Sequence, residues 1–146
     1  MYKCGASFAG VSDLATMLAG SIFDDSTAVS REVSRVRIGD PREMRAQLDD
    51  VSPLKHAERV RVPLFIAHGD ADTRVLSSQS KEMVKALQRL DKPVQWMPLE
   101  DVGHGFFFVR DHVRYWRALL AFFDRHLGNA RAPKEGASAP AAAMPR

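Results

Sequence analysis

Two loops of this sequence carry side chains that could perform acid–base chemistry together. Asp70 and Asp72 follow the apolar run at residues 62–67, and His104 follows a second run at residues 94–99. A histidine with an ordinary pKa near ~6.5 is the usual general base at neutral pH. It works best when a carboxylate holds one ring nitrogen and stabilises the imidazolium that forms. These residue types therefore indicate the acid and the base of a nucleophilic hydrolase.

The elements that precede the two loops must bring them to one place. Residues 62–67 are apolar without alternation, which is typical of a parallel strand covered on both faces. An amphipathic helix follows, and residues 94–99 predict the next strand. In open α/β sheets the reactive groups sit in loops at the carboxyl ends of strands. We therefore expect Asp72 and His104 at the same edge of a parallel sheet.

The first half of the chain continues this alternation of elements. Residues 4–8 predict a short buried strand, and Ser12-Asp13 predicts the start of a short helix. Asp40-Pro41 and Ser52-Pro53 are helix-entry signals, because proline is preorganised for the first helical turn. Residues 24–27 form a further helix start. Strands that alternate with helices predict an α/β fold with a parallel sheet.

The patterned part of the chain ends with a long helix. From about Asp111 the pattern is helical, with the apolar residues on one broad face, and Gly128 is the expected stop. Residues 129–146 are rich in Ala and Pro and almost free of large apolar residues, so we expect a disordered tail there. The folded domain is expected to span residues 1–128. The members of the apolar face are Val113, Trp116, Leu119, Leu120, Phe123 and Leu127.

The residues alone leave the choice of the acid open. Asp70 directly follows the strand and is expected to cap the loop through backbone amides, whereas Asp72 reaches further over the sheet edge. Glu100 and Asp101 precede His104 in its own loop and could simply be solvated.

Other polar and aromatic residues near these loops have structural interpretations. His68 ends a strand and is expected to be a buried, hydrogen-bonded histidine, and Arg74 is expected to brace the loop by pairing with a carboxylate. Gly103 and Gly105 would allow the His104 loop unusual dihedral angles and a close approach. His56, His112 and His126 lie on helix patterns and are expected at the surface, and Phe106, Phe107 and Phe108 are expected to pack in the core rather than to line a pocket.

Composition excludes several classes of protein. The 146 residues suit one domain, and the net charge of +3 is not concentrated in any basic run, which argues against nucleic-acid binding. Cys4 is the only cysteine, so neither an intrachain disulfide nor a cysteine-rich zinc site is possible. No apolar run approaches the ~18 residues of a membrane span, and the start does not resemble a signal peptide. With no clustered ligands, phosphate loop or dinucleotide fingerprint, we expect no metal or organic cofactor.

The motifs in these loops resemble those of a known family. The His68-Gly69-x-x-Asp72 loop, the Gln79-Ser80 pair and Gly103-His104-Gly105-Phe106 look like the C-terminal part of the prolyl oligopeptidase family of serine peptidases. The closest subgroup is the acylaminoacyl-peptidase and dipeptidyl-peptidase-like branch, and the resemblance covers about residues 2–128. It implies the C-terminal portion of an α/β-hydrolase fold, a domain that in this family usually follows an N-terminal β-propeller in the chain. It also implies cleavage of short peptides, with Asp72 as the triad acid and His104 as the triad base.

The sequence departs from the family's pattern at the nucleophile. An α/β-hydrolase presents its serine in a G-x-S-x-G elbow that precedes the acid and the base in the chain, and no such motif occurs here. Ser7 is the nearest imitation, but its glycines have the wrong offsets. The resemblance implies that the chain begins just after the nucleophile, so we expect the chain alone to be inactive. A smaller departure is Leu76, because many relatives carry proline after the valine.

Three interpretations follow from these motifs. The first is a serine peptidase that takes a peptide or small acyl substrate when intact; the second keeps the same residues in a carboxylesterase or dienelactone-hydrolase-like enzyme. The third is a non-catalytic, truncated module. The sequence decides neither the compartment, cytoplasmic or periplasmic, nor the oligomeric state.

Overall fold

A computed structural model of the protein describes residues 2–19 and 28–128. The helix start expected at residues 24–27 and the tail expected at residues 129–146 lie outside the described residues. The elements are β1 (Gly5–Phe8), α1 (Leu14–Ala19), α2 (Ala28–Arg37), α3 (Arg45–Asp50), a 3-10 helix (Pro53–Arg59), β2 (Leu64–Gly69), α4 (Ser78–Arg89), β3 (Val94–Leu99) and α5 (Val109–Leu127).

The described strands form one parallel sheet in the order β1-β2-β3. Leu64 pairs with both Gly5 and Val94, and Gly69 pairs with Leu99, so β2 and β3 end side by side. The predicted parallel sheet is thus confirmed. Its register also explains why the loops after β2 and β3 leave the sheet at the same edge.

Helices cover β2 on both faces, as its unbroken apolar sequence predicts. Phe65 and Ala67 face a core shared with α5, whereas Ile66 faces a second core shared with α4. Phe65 is 0% exposed. Burying a side chain of this size stabilises the folded state by about 1.5–3 kcal/mol relative to leaving it exposed.

The start of the chain differs from the prediction of a buried strand. Ala6 and Ser7, in the middle of β1, are exposed, because β1 is an outer strand of the described sheet. The short helix predicted after it is confirmed: α1 begins at Leu14, and the Asp13 carboxylate accepts the Thr16 amide at 2.8 Å. The entry signal at Asp40-Pro41 leads into a turn, and the helix itself starts only at Arg45.

The single apolar face expected for the last helix is divided by the structure. The residues of α5 that are buried against the sheet are Tyr115, Leu119 and Phe122. Of the predicted face, Val113, Trp116, Leu120 and Leu127 are exposed instead. The apolar residues of α5 therefore extend around more of the helix than the sheet covers. Gly128 ends the helix in the left-handed conformation, with a φ of 75°, as predicted.

Candidate active site

Asp72 and His104 lie in direct contact at the carboxyl edge of the sheet. Asp72 is in the loop between β2 and α4, and His104 is in the loop between β3 and α5. The distance from His104 Nδ1 to Asp72 Oδ2 is 2.9 Å, which is a charge-assisted hydrogen bond. The two residues are 32 positions apart in the chain, and the parallel register of β2 and β3 is what brings them together.

Backbone hydrogen bonds hold the two loops against each other. The Asp70 amide donates to the Leu99 carbonyl at 3.0 Å, and the Ala71 amide donates to the Val102 carbonyl at 3.1 Å. The Asp70 carboxylate accepts the Asp101 amide at 2.8 Å. The loop-capping role predicted for Asp70 is therefore confirmed, and it accounts for the Asp70 carboxylate without a part in acid–base chemistry.

The close approach of the loops depends on Gly69, which sequence reasoning did not single out. A Cβ atom on Gly69 would lie 2.0 Å from the Val102 carbonyl oxygen and 2.6 Å from that of Gly103. Neither Gly103 nor Gly105 has a positive φ, and a Cβ on either would meet no atom closer than 3.9 Å. The prediction for the glycines beside His104 was therefore wrong: the special position is the last residue of β2.

The Asp72 carboxylate is surrounded by N–H groups although its side chain is fully buried. Oδ1 accepts the amides of Arg74 and Val75, each at 2.9 Å, and Oδ2 accepts His104 Nδ1. Burial by itself raises the pKa of Asp72, but the hydrogen bonds from Val75, His104 and Arg74 outweigh it and hold the pKa below its ordinary value. Asp72 is therefore a carboxylate at neutral pH.

His104 is oriented by this carboxylate and open on its other side. Because Asp72 is ionised and can only accept, His104 Nδ1 carries the proton and Nε2 of the neutral ring keeps a lone pair. The side chain is 37% exposed, and Nε2 has no hydrogen-bond partner among residues 2–19 and 28–128. An imidazole held in this tautomer can accept a proton at Nε2.

His68 places a second imidazole ring beside the Asp72 carboxylate. It is 1% exposed. Its Nε2 lies 2.8 Å from the Val75 carbonyl oxygen and 3.2 Å from Asp72 Oδ2. Since a carbonyl only accepts, Nε2 carries a proton, and in the neutral ring Nδ1 then accepts the Ser80 hydroxyl at 2.7 Å. The predicted structural histidine is confirmed, with a contact to Asp72 that the sequence did not show.

Ser80 is a partner that sequence reasoning missed as a hydrogen-bonding group. It is 3% exposed on the sheet-facing side of α4, one turn before Met83 and Val84. The sequence signal for this role was that Ser80 falls on the apolar face of the predicted helix. A serine there is expected to be buried, and a buried hydroxyl needs a hydrogen-bond partner.

Gln79 supports the site from beside Ser80 by holding the loop after β1. Its Oε1 accepts the amides of Ser12 and Asp13 at 3.0 and 2.8 Å, and its Nε2 donates to the Asp13 carbonyl at 3.1 Å. The Ser12 hydroxyl donates to the Gln79 carbonyl at 2.6 Å. The segment after β1 is thereby bound to the first turn of α4.

The remaining candidates lie outside this cluster. Glu100 and Asp101 are exposed, as expected. The Arg74 side chain forms no ion pair within the described part of the chain, so the bracing role predicted for it is wrong there; the residue contributes its amide instead. Phe106 packs against Phe8 and Tyr115, as expected, whereas Phe107 and Phe108 are exposed and not in the core.

Neither a metal centre nor a membrane span emerges from the described ranges. Within residues 2–19 and 28–128, no three His, Cys, Asp or Glu side chains are grouped so that they could hold a metal ion. In the same part of the chain, every helix is too short or too polar to cross a membrane.

Known proteins resemble this chain in sequence and in fold. The model of the prolyl oligopeptidase family matches residues 1–130. A dipeptidyl aminopeptidase BIII from Pseudoxanthomonas mexicana is 32% identical over 134 residues, which is 90% of this chain and 19% of that protein.

Solved structures agree with this match. A puromycin-hydrolyzing peptidase from Mycobacterium tuberculosis superposes with a TM-score of 0.77 at 28% identity, over 87% of this chain and 19% of that one. The acylaminoacyl peptidase of Pyrococcus horikoshii gives 0.76 at 26% identity, over 94% and 22% respectively. The chain thus spans about a fifth of the length of the relatives it matches.

Proposed function

Because the chain belongs to the prolyl oligopeptidase family of α/β-hydrolase peptidases, we propose that Asp72 and His104 are the acid and the base of a Ser-His-Asp triad that hydrolyses peptide bonds in short peptides. The observation that carries this proposal is the 2.9 Å hydrogen bond from His104 Nδ1 to a buried, ionised Asp72, which leaves Nε2 open. Short peptides are the substrate class because the matched relatives are a dipeptidyl aminopeptidase and an acylaminoacyl peptidase.

The nucleophile is a serine that these 146 residues do not supply. The sequence contains no G-x-S-x-G, and Ser7 Oγ packs against Gly10 within the β1 region. We therefore assign the attacking hydroxyl to a serine outside these 146 residues, in a longer protein like the relative of which the chain covers about a fifth. In such a protein the triad would be completed at the carboxyl edge of the sheet.

The chemistry follows from the orientation of His104. The serine hydroxyl attacks the acyl carbon while His104 Nε2 takes its proton, and Asp72 stabilises the imidazolium through Nδ1. The imidazolium then gives the proton to the leaving amine as the C–N bond breaks. Water, deprotonated by the same Nε2, attacks the acyl carbon. The imidazolium then returns that proton to the serine oxygen as the acyl–oxygen bond breaks, which releases the acid and the free serine.

The test compares the 146-residue chain with the protein obtained by reading its DNA in frame upstream of Met1. We expect that upstream sequence to contain G-x-S-x-G, and the longer protein to cleave dipeptidyl or N-acylaminoacyl p-nitroanilides and to react with a fluorophosphonate probe. The 146-residue chain is expected to do neither.

Substitution of the base tests the assignment within the longer protein. His104→Ala is expected to lower kcat by a factor on the order of 10⁴–10⁶, because triad members act as a unit. His112→Ala, an exposed histidine eight positions away, is the matched control and should retain kcat. Turnover by the short chain, or a His104→Ala enzyme that keeps its kcat, would contradict the proposal.

A further inference from the structure

The buried ring of His68 joins three parts of the chain where they meet the candidate site. His68 belongs to β2, and its Nδ1 accepts the Ser80 hydroxyl of α4 at 2.7 Å. Its Nε2–H donates at 2.8 Å to the carbonyl of Val75, in the loop between these two elements. Each of the three residues is at most 5% exposed. Both ring nitrogens are satisfied, and the proposed reaction uses neither of them.

The hydrogen bond from His68 is received by a residue that also holds the Asp72 carboxylate. The Val75 amide donates to Asp72 Oδ1 at 2.9 Å, while the Val75 carbonyl accepts His68 Nε2–H. At the start of the loop, the Asp72 amide donates to the Gly69 carbonyl at 3.4 Å. The loop is thus closed around the carboxylate, and His68 fixes its far end to β2. A displacement of Val75 would displace the carboxylate with it.

The same ring borders the carboxylate oxygen that accepts His104. His68 Nε2 lies 3.2 Å from Asp72 Oδ2, and His104 Nδ1 lies 2.9 Å from the same oxygen. Because the Ser80 hydroxyl donates to Nδ1 of His68, the ring edge beside Oδ2 carries an N–H group. The opposite tautomer would turn a lone pair toward the Val75 carbonyl and toward Oδ2, which is repulsive. Ser80 therefore favours the one tautomer that is compatible with a carboxylate at this place.

We propose that His68 and Ser80 are positioning residues for the candidate base, which fix Asp72 Oδ2 where it accepts the Nδ1–H of His104. Ser80 sets the tautomer of His68, His68 holds Val75 and borders Oδ2, and Asp72 in turn orients His104. Because both positioning side chains are buried, they act through Asp72 and not on a substrate. The effect on catalysis rests on the proposed function, whereas the effect on the ring of His104 does not.

The tautomer of His104 distinguishes a positioning role from packing. A histidine that only fills the core would, when replaced, lower stability and leave the His104 ring as it is. Loss of the positioning contacts would instead release Oδ2. The His104 ring, which is 37% exposed, would then also populate the tautomer with its proton on Nε2. In that tautomer Nε2 cannot take a proton from a nucleophile, so the base is lost.

The ¹⁵N chemical shifts of the His104 ring in the 146-residue chain test the positioning at a pH where the ring is neutral. We expect the wild type to show the Nδ1–H tautomer, and His68→Leu and Ser80→Ala each to show a mixture of the two tautomers. Ser78→Ala changes an exposed serine of the same helix. His56→Leu changes a histidine whose Nε2 is hydrogen-bonded to the Asp50 carbonyl, outside the site. Both are matched controls and should leave the shifts unchanged.

Stability is measured separately, so that unfolding is not mistaken for a change of tautomer. Far-UV circular dichroism and urea unfolding show which variants are folded under the conditions of the spectrum. Ser80→Ala removes a single hydroxyl and keeps the test decisive if His68→Leu does not fold. A folded Ser80→Ala or His68→Leu chain in which His104 keeps only the Nδ1–H tautomer would overturn the proposal.

The kinetics of the longer protein separate this proposal from the one on which it rests. We expect His68→Leu and Ser80→Ala to lower kcat by roughly 10- to 100-fold, because a misplacement of ~1 Å costs about 100-fold. KM should change by less than about threefold, since the contacts act on the transition state and not on substrate binding. If both variants keep kcat while His104→Ala loses it, the triad stands and the positioning role is overturned. If His104→Ala keeps kcat while Ser80→Ala still mixes the tautomers, the positioning of the ring is supported and the proposed function is overturned.

Discussion

At the scale of single residues, the site is organised by one carboxylate. Asp72 accepts the amides of Arg74 and Val75 and the ring N–H of His104. The Nε2–H of His68 donates to the Val75 carbonyl and lies 3.2 Å from Asp72 Oδ2. An ionised carboxylate offers about four lone-pair sites, and three N–H donors occupy most of those of Asp72. These hydrogen bonds explain how a side chain that is fully buried can remain charged, which the proposed stabilisation of an imidazolium requires.

The stability that Asp72 contributes should depend on pH. Its pKa is lower in the folded protein than the ordinary value near ~3.9. The contribution is therefore complete above the unfolded-state pKa and is lost as pH falls through the folded-state pKa. We expect Asp72→Asn to lower the free energy of unfolding by about 1–3 kcal/mol at pH 7, and we expect its difference from the wild type to shrink below about pH 4.

Urea unfolding at a series of pH values measures this difference. Asp70→Asn, which removes an exposed carboxylate from the same loop, is the matched control. It should lower the free energy of unfolding at pH 7 by less than Asp72→Asn does. A difference for Asp72→Asn that stays constant down to pH 2 would show that the carboxylate is not stabilised by its contacts.

His68 shows what residue patterns predict and what they leave out. A histidine at the end of a buried strand is expected to be hydrogen-bonded. Here the Ser80 hydroxyl and the Val75 carbonyl are the partners of the two ring nitrogens. Its approach to Asp72 depends on how the loop after β2 turns back over the strand. That turn is set by contacts with the β3–α5 loop, which no local pattern records.

At the scale of elements, the distance between two loops depends on the absence of one methyl group. Gly69 ends β2 directly beneath the backbone of residues 102 and 103. Any side chain there would push the His104 loop away from Asp72. Gly103 and Gly105, the two glycines that flank His104 in the sequence, have room for a Cβ atom by comparison.

Gly69→Ala is therefore expected to damage both folding and the site. Overpacking of this kind costs about 1–3 kcal/mol, and more where backbone must move. Denaturant unfolding measures the loss, and the ¹⁵N chemical shifts of the His104 ring report whether Nδ1 still donates to Asp72. Gly105→Ala, where an added Cβ meets nothing within 4 Å, is the control and should be neutral. Equal effects of the two substitutions would contradict the assigned role of Gly69.

Helix α5 shows the limit of periodicity as a predictor. Its sequence indicates a helix and a stop at Gly128, and both are present. Apolar residues occur around more than half of its circumference, so the pattern could not indicate which of them meet the sheet. The rotation of α5 about its axis was decided by the aromatic packing of Tyr115 and Phe122 on Phe65.

At the scale of the whole molecule, Gln79 joins parts of the chain that are far apart in sequence. It lies on the first turn of α4 and holds Ser12 and Asp13, which are 66 or 67 residues away. Through this side chain the segment after β1, with the start of α1, is held against α4. Helix α4 also carries Ser80, the hydrogen-bond partner of His68. The N-terminal segment and the site are thus parts of one structure.

Gln79→Leu should loosen that connection. The change leaves the buried amides of Ser12 and Asp13 without their acceptor, and each such group costs about 1–3 kcal/mol. We expect a loss of about 2 kcal/mol or more in the free energy of unfolding, with faster amide hydrogen exchange at Ser12 and Asp13. Gln88→Leu, an exposed position on the same helix, should change neither. Unchanged exchange in Gln79→Leu would show that the segment is held by other contacts.

The sequence by itself determined the parallel α/β architecture, the two strand–loop units and the pairing of an acidic loop with His104. These features depend on local periodicity, turn residues and a family motif, all of which lie within short stretches of chain. Only the tertiary structure decided that Asp72 contacts His104, that His68 lies beside Asp72, that Gly69 is the close-contact glycine, and that Trp116 and Leu120 of α5 are exposed. Each of these depends on distances between residues far apart in sequence, or on the rotation of one element against another. Such quantities are set by packing and not by any local pattern.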